Sequence, residues 1–223
     1  MYFPVTCVDN FYTDPEYVAR IAREADYTEI HKNWPGYRTK FLHITHPKLF
    51  DTTCKKIFSL FYSTEDLGQI SWNVEMSFQK IVPIEHQNNL YPDGWVHYDT
   101  EKFVAGVIYL YEDTELNTGT SIYTPKNPIE TEYGNIKTRD EFHTNTITDF
   151  NLYNKIVQEN NEKFEETVTV KNKFNRLIMY DGSHYHAAKN INRLEQPRYT
   201  IVFFVNKLLA SRFPIPQARR FYL

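Results

Sequence analysis

Glycine is scarce in this chain, 7 in 223 residues, and cysteine is scarcer, with Cys7 and Cys54 alone. Two thiols build no disulfide framework and no zinc-ligand pattern, so they read as ordinary thiols of a reducing, cytoplasmic compartment. Long hydrophobic runs are also lacking. The best, Phe103 to Tyr111, is far too short to span a bilayer. The N-terminus has neither the basic nor the sustained apolar stretch of a secretory signal. Nor does one sign of charge dominate: 25 Lys and Arg against 28 Asp and Glu leave a net charge of −3. Without a strong basic field, neither nucleic acid nor an anionic membrane is expected as a partner. No repeat or low-complexity linker divides the sequence, so one domain over 1–223 is expected, long enough to bury a sizeable core.

What is plentiful is aromatic: 17 Tyr, 16 Phe and 3 Trp, a mix that favours strands and a packed β core. The N-terminal part reads as helical support, roughly residues 1–70. Thr13-Asp14-Pro15-Glu16 fits a capping box with Thr13 as N-cap, and Val18, Ile21, Ala22 and Ala25 follow at helical spacing. A second helix starts near Pro47, with Leu49, Phe50, Thr53, Cys54, Ile57, Phe58 and Phe61 as its apolar stripe. Between them, residues 33–38 (Asn-Trp-Pro-Gly-Tyr-Arg) read as a loop, whose two aromatics and one cation either line a pocket or pack as a surface turn.

From residue 72 the period becomes two. Trp72, Val74, Met76 and Phe78 alternate with Asn73, Glu75, Ser77 and Gln79, a polar row that faces either a barrel mouth or solvent. Phe103–Tyr111, Ser121–Tyr123, Glu166–Val170, Arg176–Tyr180 and Tyr199–Val205 supply further strands. Residues 125–163 are polar and read as an insertion with one short helix near Asp149–Gln158; 207–223 reads as a surface-wrapping tail. Helices followed by many strands predict an α+β, mainly β fold. A jelly roll, a double-stranded β-helix over 71–206, suits strands that must bring distant residues to one mouth.

The residues that call for such a mouth are His97 and Asp99 in Trp95-Val96-His97-Tyr98-Asp99, with a second histidine far downstream. A histidine and a carboxylate two apart on an extended segment share a face. A distant histidine completes two nitrogens and one carboxylate with an open opposite side, the ligand set that non-haem Fe(II) oxygenases use. His184 and His186 both offer that second histidine, and His186 is preferred for the Ala187-Ala188 that follows it. His31, His43, His46, His86 and His143 have no ligand spacing and read as solvated.

Further features stand in order around the triad: Tyr109-Leu110 at a strand end, the turn Thr118-Gly119-Thr120, His186-Ala187, and Arg198-Tyr199-Thr200 twelve residues on. In this ordered set the chain resembles the 2-oxoglutarate- and Fe(II)-dependent dioxygenases, in their prolyl-hydroxylase-like branch, over roughly residues 72–206. It departs from the family at Thr118, where a first glycine is common, and in the long 125–163 insertion. The resemblance implies Fe(II) on His97, Asp99 and His186. It implies 2-oxoglutarate as cosubstrate, its distal carboxylate held by the planar fork of Arg198, with Thr200 and Tyr109 reaching the same group. Dioxygen and a peptide or small molecule to be hydroxylated would complete the reaction. Two other readings compete: a cupin-like metal-binding module, which keeps the triad but needs no Arg198, and an inactive structural protein on the same fold.

Overall fold

The computed structural model describes residues 1–27, 29–30 (backbone alone), 35–83, 89–99, 101–111, 117–127 and 149–220. In chain order the elements are β1 (Thr6–Val8), α1 (Pro15–Glu24), β2 (Glu29–Ile30), β3 (Tyr37–Arg38), α2 (Leu42–Thr45), α3 (Pro47–Phe58) and α4 (Thr64–Leu67). Then come β4 (Ser71–Ile81), β5 (Val104–Tyr109), β6 (Gly119–Pro125), α5 (Phe150–Asn161), β7 (Phe164–Lys171), β8 (Leu177–Asp181), β9 (Tyr185–Lys189), β10 (Arg198–Leu209) and α6 (Pro214–Ala218).

A seven-stranded sheet in the order β1-β8-β5-β10-β4-β3-β2 faces a three-stranded sheet, β7-β6-β9. Every pairing is antiparallel. This is the expected mainly β jelly roll. The alternation in β4 sorts its two faces. Val74, Met76 and Phe78 join Ile108, Leu177, Ile201 and Phe203 in the largest core, on the outer face of the large sheet. The helices cover that face: Val18, Ala19 and Ala22 of α1 and Cys54, Ile57 and Phe58 of α3 belong to the same core. Burying such side chains stabilises by about 1.5–3 kcal/mol each, so the outer face carries much of the fold. The opposite face of β4 is left to polar residues, and Glu75 and Gln79 line the cavity between the sheets.

Several local expectations are corrected. The N-cap of α1 is Asp14, not Thr13: Asp14 Oδ1 accepts from Tyr17 N at 3.1 Å, which puts Pro15 at the first helical position, where its missing N–H costs nothing. Tyr37–Arg38, read as loop, is the strand β3, paired with Lys80 and Gln79 of β4. Gly119 begins β6 rather than a turn; a Cβ there would collide with Val170 O on the paired strand. In the tail, Leu208 and Leu209 complete β10, and Phe213 packs its ring on Tyr2, Phe3 and Phe103. His43 is exposed, whereas His46 lays its ring against the edge of Phe78. Trp34, most of the 125–163 segment (128–148), and His31, His86 and His143 lie outside the described residues. Among those described, no helix is long and apolar enough to cross a membrane.

Candidate functional site

His97 lies outside the regular strands yet is fixed by one. Its N–H donates to His186 O at 3.1 Å, and the N–H of His186 donates to His97 O at 2.7 Å, an antiparallel bridge onto β9. Asp99, two residues on, donates its N–H to Gly182 O at 3.0 Å. The sequence thus reaches one side of the cavity by backbone pairing. One ligand atom from each of His97, Asp99 and His186 lies within 4.8 Å of the other two. The imidazole rings are 4.4 Å apart between centroids.

Backbone carbonyls also set the tautomers. His97 Nδ1 is 2.8 Å from Trp95 O, and His186 Nδ1 is 3.0 Å from His184 O. A carbonyl only accepts, so each Nδ1 carries a hydrogen, and the neutral ring then keeps its lone pair on Nε2, as a metal-binding histidine requires. Asp99 Oδ2 is buried without a hydrogen-bond partner, 3.6 Å from His186 Nε2. A buried carboxylate oxygen left without a donor is costly, and a cation among these three atoms would satisfy it. The donor set therefore fits a divalent transition metal.

His184 does not join this group. It sits in the turn before β9, its N–H bonded to Asp181 O, and the alternation that would have aimed it alongside His186 starts only at Tyr185. Burial, with His186 nearby, holds its imidazole below the usual histidine value. Tyr180, which sequence reasoning treated only as part of a strand, packs its ring 4.6 Å from that of His186. Burial and the nearby Asp99 hold its phenol well above the usual tyrosine range, so it remains neutral.

Arg198 opens β10 and is 4 % exposed. Its guanidinium lies over the Tyr109 ring, 5.5 Å from the centroid, and Nε has no hydrogen-bond partner. It forms no ion pair with any described residue. A buried charge without a counter-ion costs several kcal/mol, so the pocket is shaped for an anion. Thr200 stands directly across from Tyr109 on the neighbouring strand, and both are buried on the sheet face that Arg198 shares. The Tyr109 hydroxyl is 2.8 Å from Thr120 Oγ1, and Thr120 lines the cavity.

The cavity measures about 520 Å³, within the range of small-ligand sites. Trp95 contributes twice: it lines the cavity and packs with Leu90, Tyr153 and Val157. Sequence reasoning missed the asparagines of α5. Asn161 Oδ1 accepts from Val96 N at 3.0 Å and its Nδ2 donates to Gly94 O at 3.0 Å, while Asn160 Nδ2 donates to Val96 O at 3.1 Å. These amides replace a neighbouring strand for the segment that leads into His97. Asparagine at successive helical positions was the available signal, because its side chain favours bonding to backbone.

Solved structures share this arrangement of two facing sheets. EvdO2 from Micromonospora carbonacea var. aurantiaca aligns at a TM-score of 0.54 and 10% identity, over 96% of this chain and 91% of that one. HygX from Streptomyces hygroscopicus, crystallised with nickel and 2-oxoglutarate, aligns at 0.54 and 10%, over 94% and 84%. The non-haem, alpha-ketoglutarate-dependent epimerase SnoN of nogalamycin biosynthesis aligns at 0.51 and 12%, over 92% and 80%. At such identities the likeness is one of fold. By sequence, the chain belongs to a family of unknown function (DUF6445), whose model matches residues 2–199. A search of curated proteins finds no match.

Proposed function

We propose that this chain, acting as one unit over 1–223, is an Fe(II)- and 2-oxoglutarate-dependent dioxygenase. It would hydroxylate a C–H bond of a peptidyl residue or small molecule while 2-oxoglutarate becomes succinate and carbon dioxide. The observation that carries this reading is the pairing of two unmet needs in one cavity: the convergent His97, Asp99 and His186 ligand atoms, and the buried Arg198 with no counter-ion among the described residues. A metal-binding module without oxygenase activity would have no use for the second. HygX carries nickel and 2-oxoglutarate, which supports both groups as occupants here.

In this reading, Nε2 of His97, Nε2 of His186 and a carboxylate oxygen of Asp99 would hold the metal. Arg198 holds the distal carboxylate of 2-oxoglutarate, with the hydroxyls of Thr200 and Tyr109 beside it. When bound, the iron and its cosubstrate supply the oxidising power for the C–H bond. The chain supplies the rest. Trp95, Tyr180, Val202 and Phe204 form apolar walls that restrict water. The two Nδ1–carbonyl bonds hold the rings in their orientation. The free thiols Cys7 and Cys54 fit a cytoplasmic setting.

Anaerobic titration with Fe(II) and 2-oxoglutarate should produce the weak visible charge-transfer band of the chelate. Iron-loaded protein should then form succinate in air, slowly alone and faster with its substrate. Succinate no greater than that from His97→Ala, across peptide and metabolite pools, would leave the metal-binding module as the better reading.

A further inference from the structure

The ring of Tyr180 closes one wall of the cavity, but its hydroxyl has no use within the protein. The residue is 3 % exposed and lines the cavity. Its hydroxyl forms no hydrogen bond with any described residue, and it is not sealed in by its neighbours, so it opens on the cavity. Several other polar groups there are committed. Gln79 Nε2 donates to Pro35 O at 2.8 Å, and Thr120 shares its hydroxyl with Tyr109 at 2.8 Å. Lys102 is held by Glu75 at 3.3 Å and by Asn206. A buried phenol without a partner is destabilising, and a phenylalanine at this position would avoid the penalty.

Tyr180 stands at the metal end of the cavity. On one side its ring rests on His186, 4.6 Å between centroids. On the other side, directly across on β5, is Ala105, whose methyl group leaves space above that strand. Tyr109, beneath Arg198, is four residues from Ala105 along β5, ~13 Å away. Burial chiefly keeps the Tyr180 phenol neutral; Asp99 and Tyr109 act in the same direction and Arg198 opposes them. The hydroxyl therefore stands beside the triad and still within the field of Arg198, along the path that joins the two anchors.

A 2-oxo acid chelates a divalent ion through its keto oxygen and one carboxylate oxygen. The second oxygen of that carboxylate stays off the metal, and in a cavity closed to water it needs a donor from the protein. Arg198, Thr200 and Tyr109 are placed at the other end, for the distal carboxylate. We propose that the Tyr180 hydroxyl donates a hydrogen bond to this free oxygen of the metal-side carboxylate, fixing the chelating end of the cosubstrate as Arg198 fixes its distal end. A neutral donor suits the position, because a cation there would repel the metal ion. The inference rests on the oxygenase reading.

The test titrates Ni(II)-loaded wild-type and Tyr180→Phe proteins calorimetrically with 2-oxoglutarate and with pyruvate, which has the same chelating end but no distal carboxylate. The substitution keeps the ring and removes only the hydroxyl. It should raise the Kd of both acids about 10-fold or more, the ratio expected for a hydrogen bond to a charged group, and leave Ni(II) affinity unchanged. Arg198→Lys should weaken 2-oxoglutarate and spare pyruvate. Metal-free Tyr180→Phe should melt no lower than wild type, since no hydrogen bond within the protein is lost. Three results would each overturn the proposal. One is 2-oxoglutarate binding Tyr180→Phe as tightly as wild type. Another is a loss confined to 2-oxoglutarate, which would put the hydroxyl at the distal carboxylate. The third is a melting temperature several degrees lower, which would make the hydroxyl a structural group. Failure of the underlying reading has a different signature: 2-oxoglutarate that does not bind the wild-type nickel form, or binds it independently of Arg198.

Discussion

At the scale of single residues, the site is a set of groups that the fold leaves incomplete. Asp99 Oδ2 and Arg198 Nε are both buried without a hydrogen-bond partner among the described residues, and each can be tested separately. Outer-shell partners of metal ligands are typically worth about 10–100-fold in affinity, so losing a ligand itself should cost more. His186→Ala is expected to weaken Fe(II) binding by over about 100-fold and His184→Ala by far less, measured by competition with a fluorescent chelator. The reverse order would reassign the distal ligand. Arg198→Lys keeps a charge but loses the fork. It should raise the Kd for 2-oxoglutarate about 10-fold or more while iron affinity changes little; equal 2-oxoglutarate affinity in Arg198→Ala and wild type would remove the cosubstrate assignment. The triad and Arg198 were legible because their spacing on extended chain is chemistry written locally. That the stretch ending in Arg38 borders the cavity could be anticipated, but not that Tyr37 and Arg38 form a strand, because two residues carry no period until β3 pairs with β4.

At the scale of elements, the strands that could be read were those whose two faces differ. The alternation of β4 announces a core face and a cavity face, and both are found. Short pieces gave no period to read: β1 spans three residues, β3 two, and α2 and α4 four each. The role of α5 was hidden for another reason. Its helix was anticipated from pattern, but its purpose lies in the amides it sends to Gly94 and Val96. Removing Asn161 loses two of these bonds, about 2 kcal/mol together. Asn161→Ala should therefore lower stability modestly and, because the freed segment carries His97, weaken iron binding within the 10–100-fold range of supporting residues. Calorimetric metal titration well below the melting temperature separates the two effects; unchanged affinity would make the clamp purely structural.

At the scale of the whole molecule, the chain is tied together at Asp181, on the edge of the large sheet's core. Its carboxylate accepts from Tyr2 N at 2.6 Å, Phe3 N at 3.2 Å, Ser183 N at 3.2 Å and Ser183 Oγ at 2.7 Å. Burial by itself pushes the group upward, but the donors together outweigh it and hold the carboxyl below its usual value. A carboxyl lowered in the folded state binds its proton more weakly there than in the unfolded chain. The stability it confers is thus full above the unfolded value, about 4, and drains as pH falls through the folded one. Asp181→Asn should melt lower than wild type at pH 7, with the gap narrowing under acid; a gap independent of pH between 7 and 3 would show that charge has no part in it. The α+β class, helices on one face and sheets around a mouth, could be anticipated from the order of patterned segments. This long-range fastening of Tyr2 and Phe3 to residue 181 could not, since nothing in either segment names the other.

The reciprocal backbone pair between His97 and His186 has a kinetic consequence. Because the two putting forth imidazoles are also each other's amide partners, any opening that releases one N–H to solvent also pulls the ligands apart. Deuterium uptake at these two amides should therefore report directly on how often the triad comes undone. Both should exchange together, as one event, and both should slow in step when a divalent ion bridges the side chains, while amides of α1 on the far face of the sheet keep their rates.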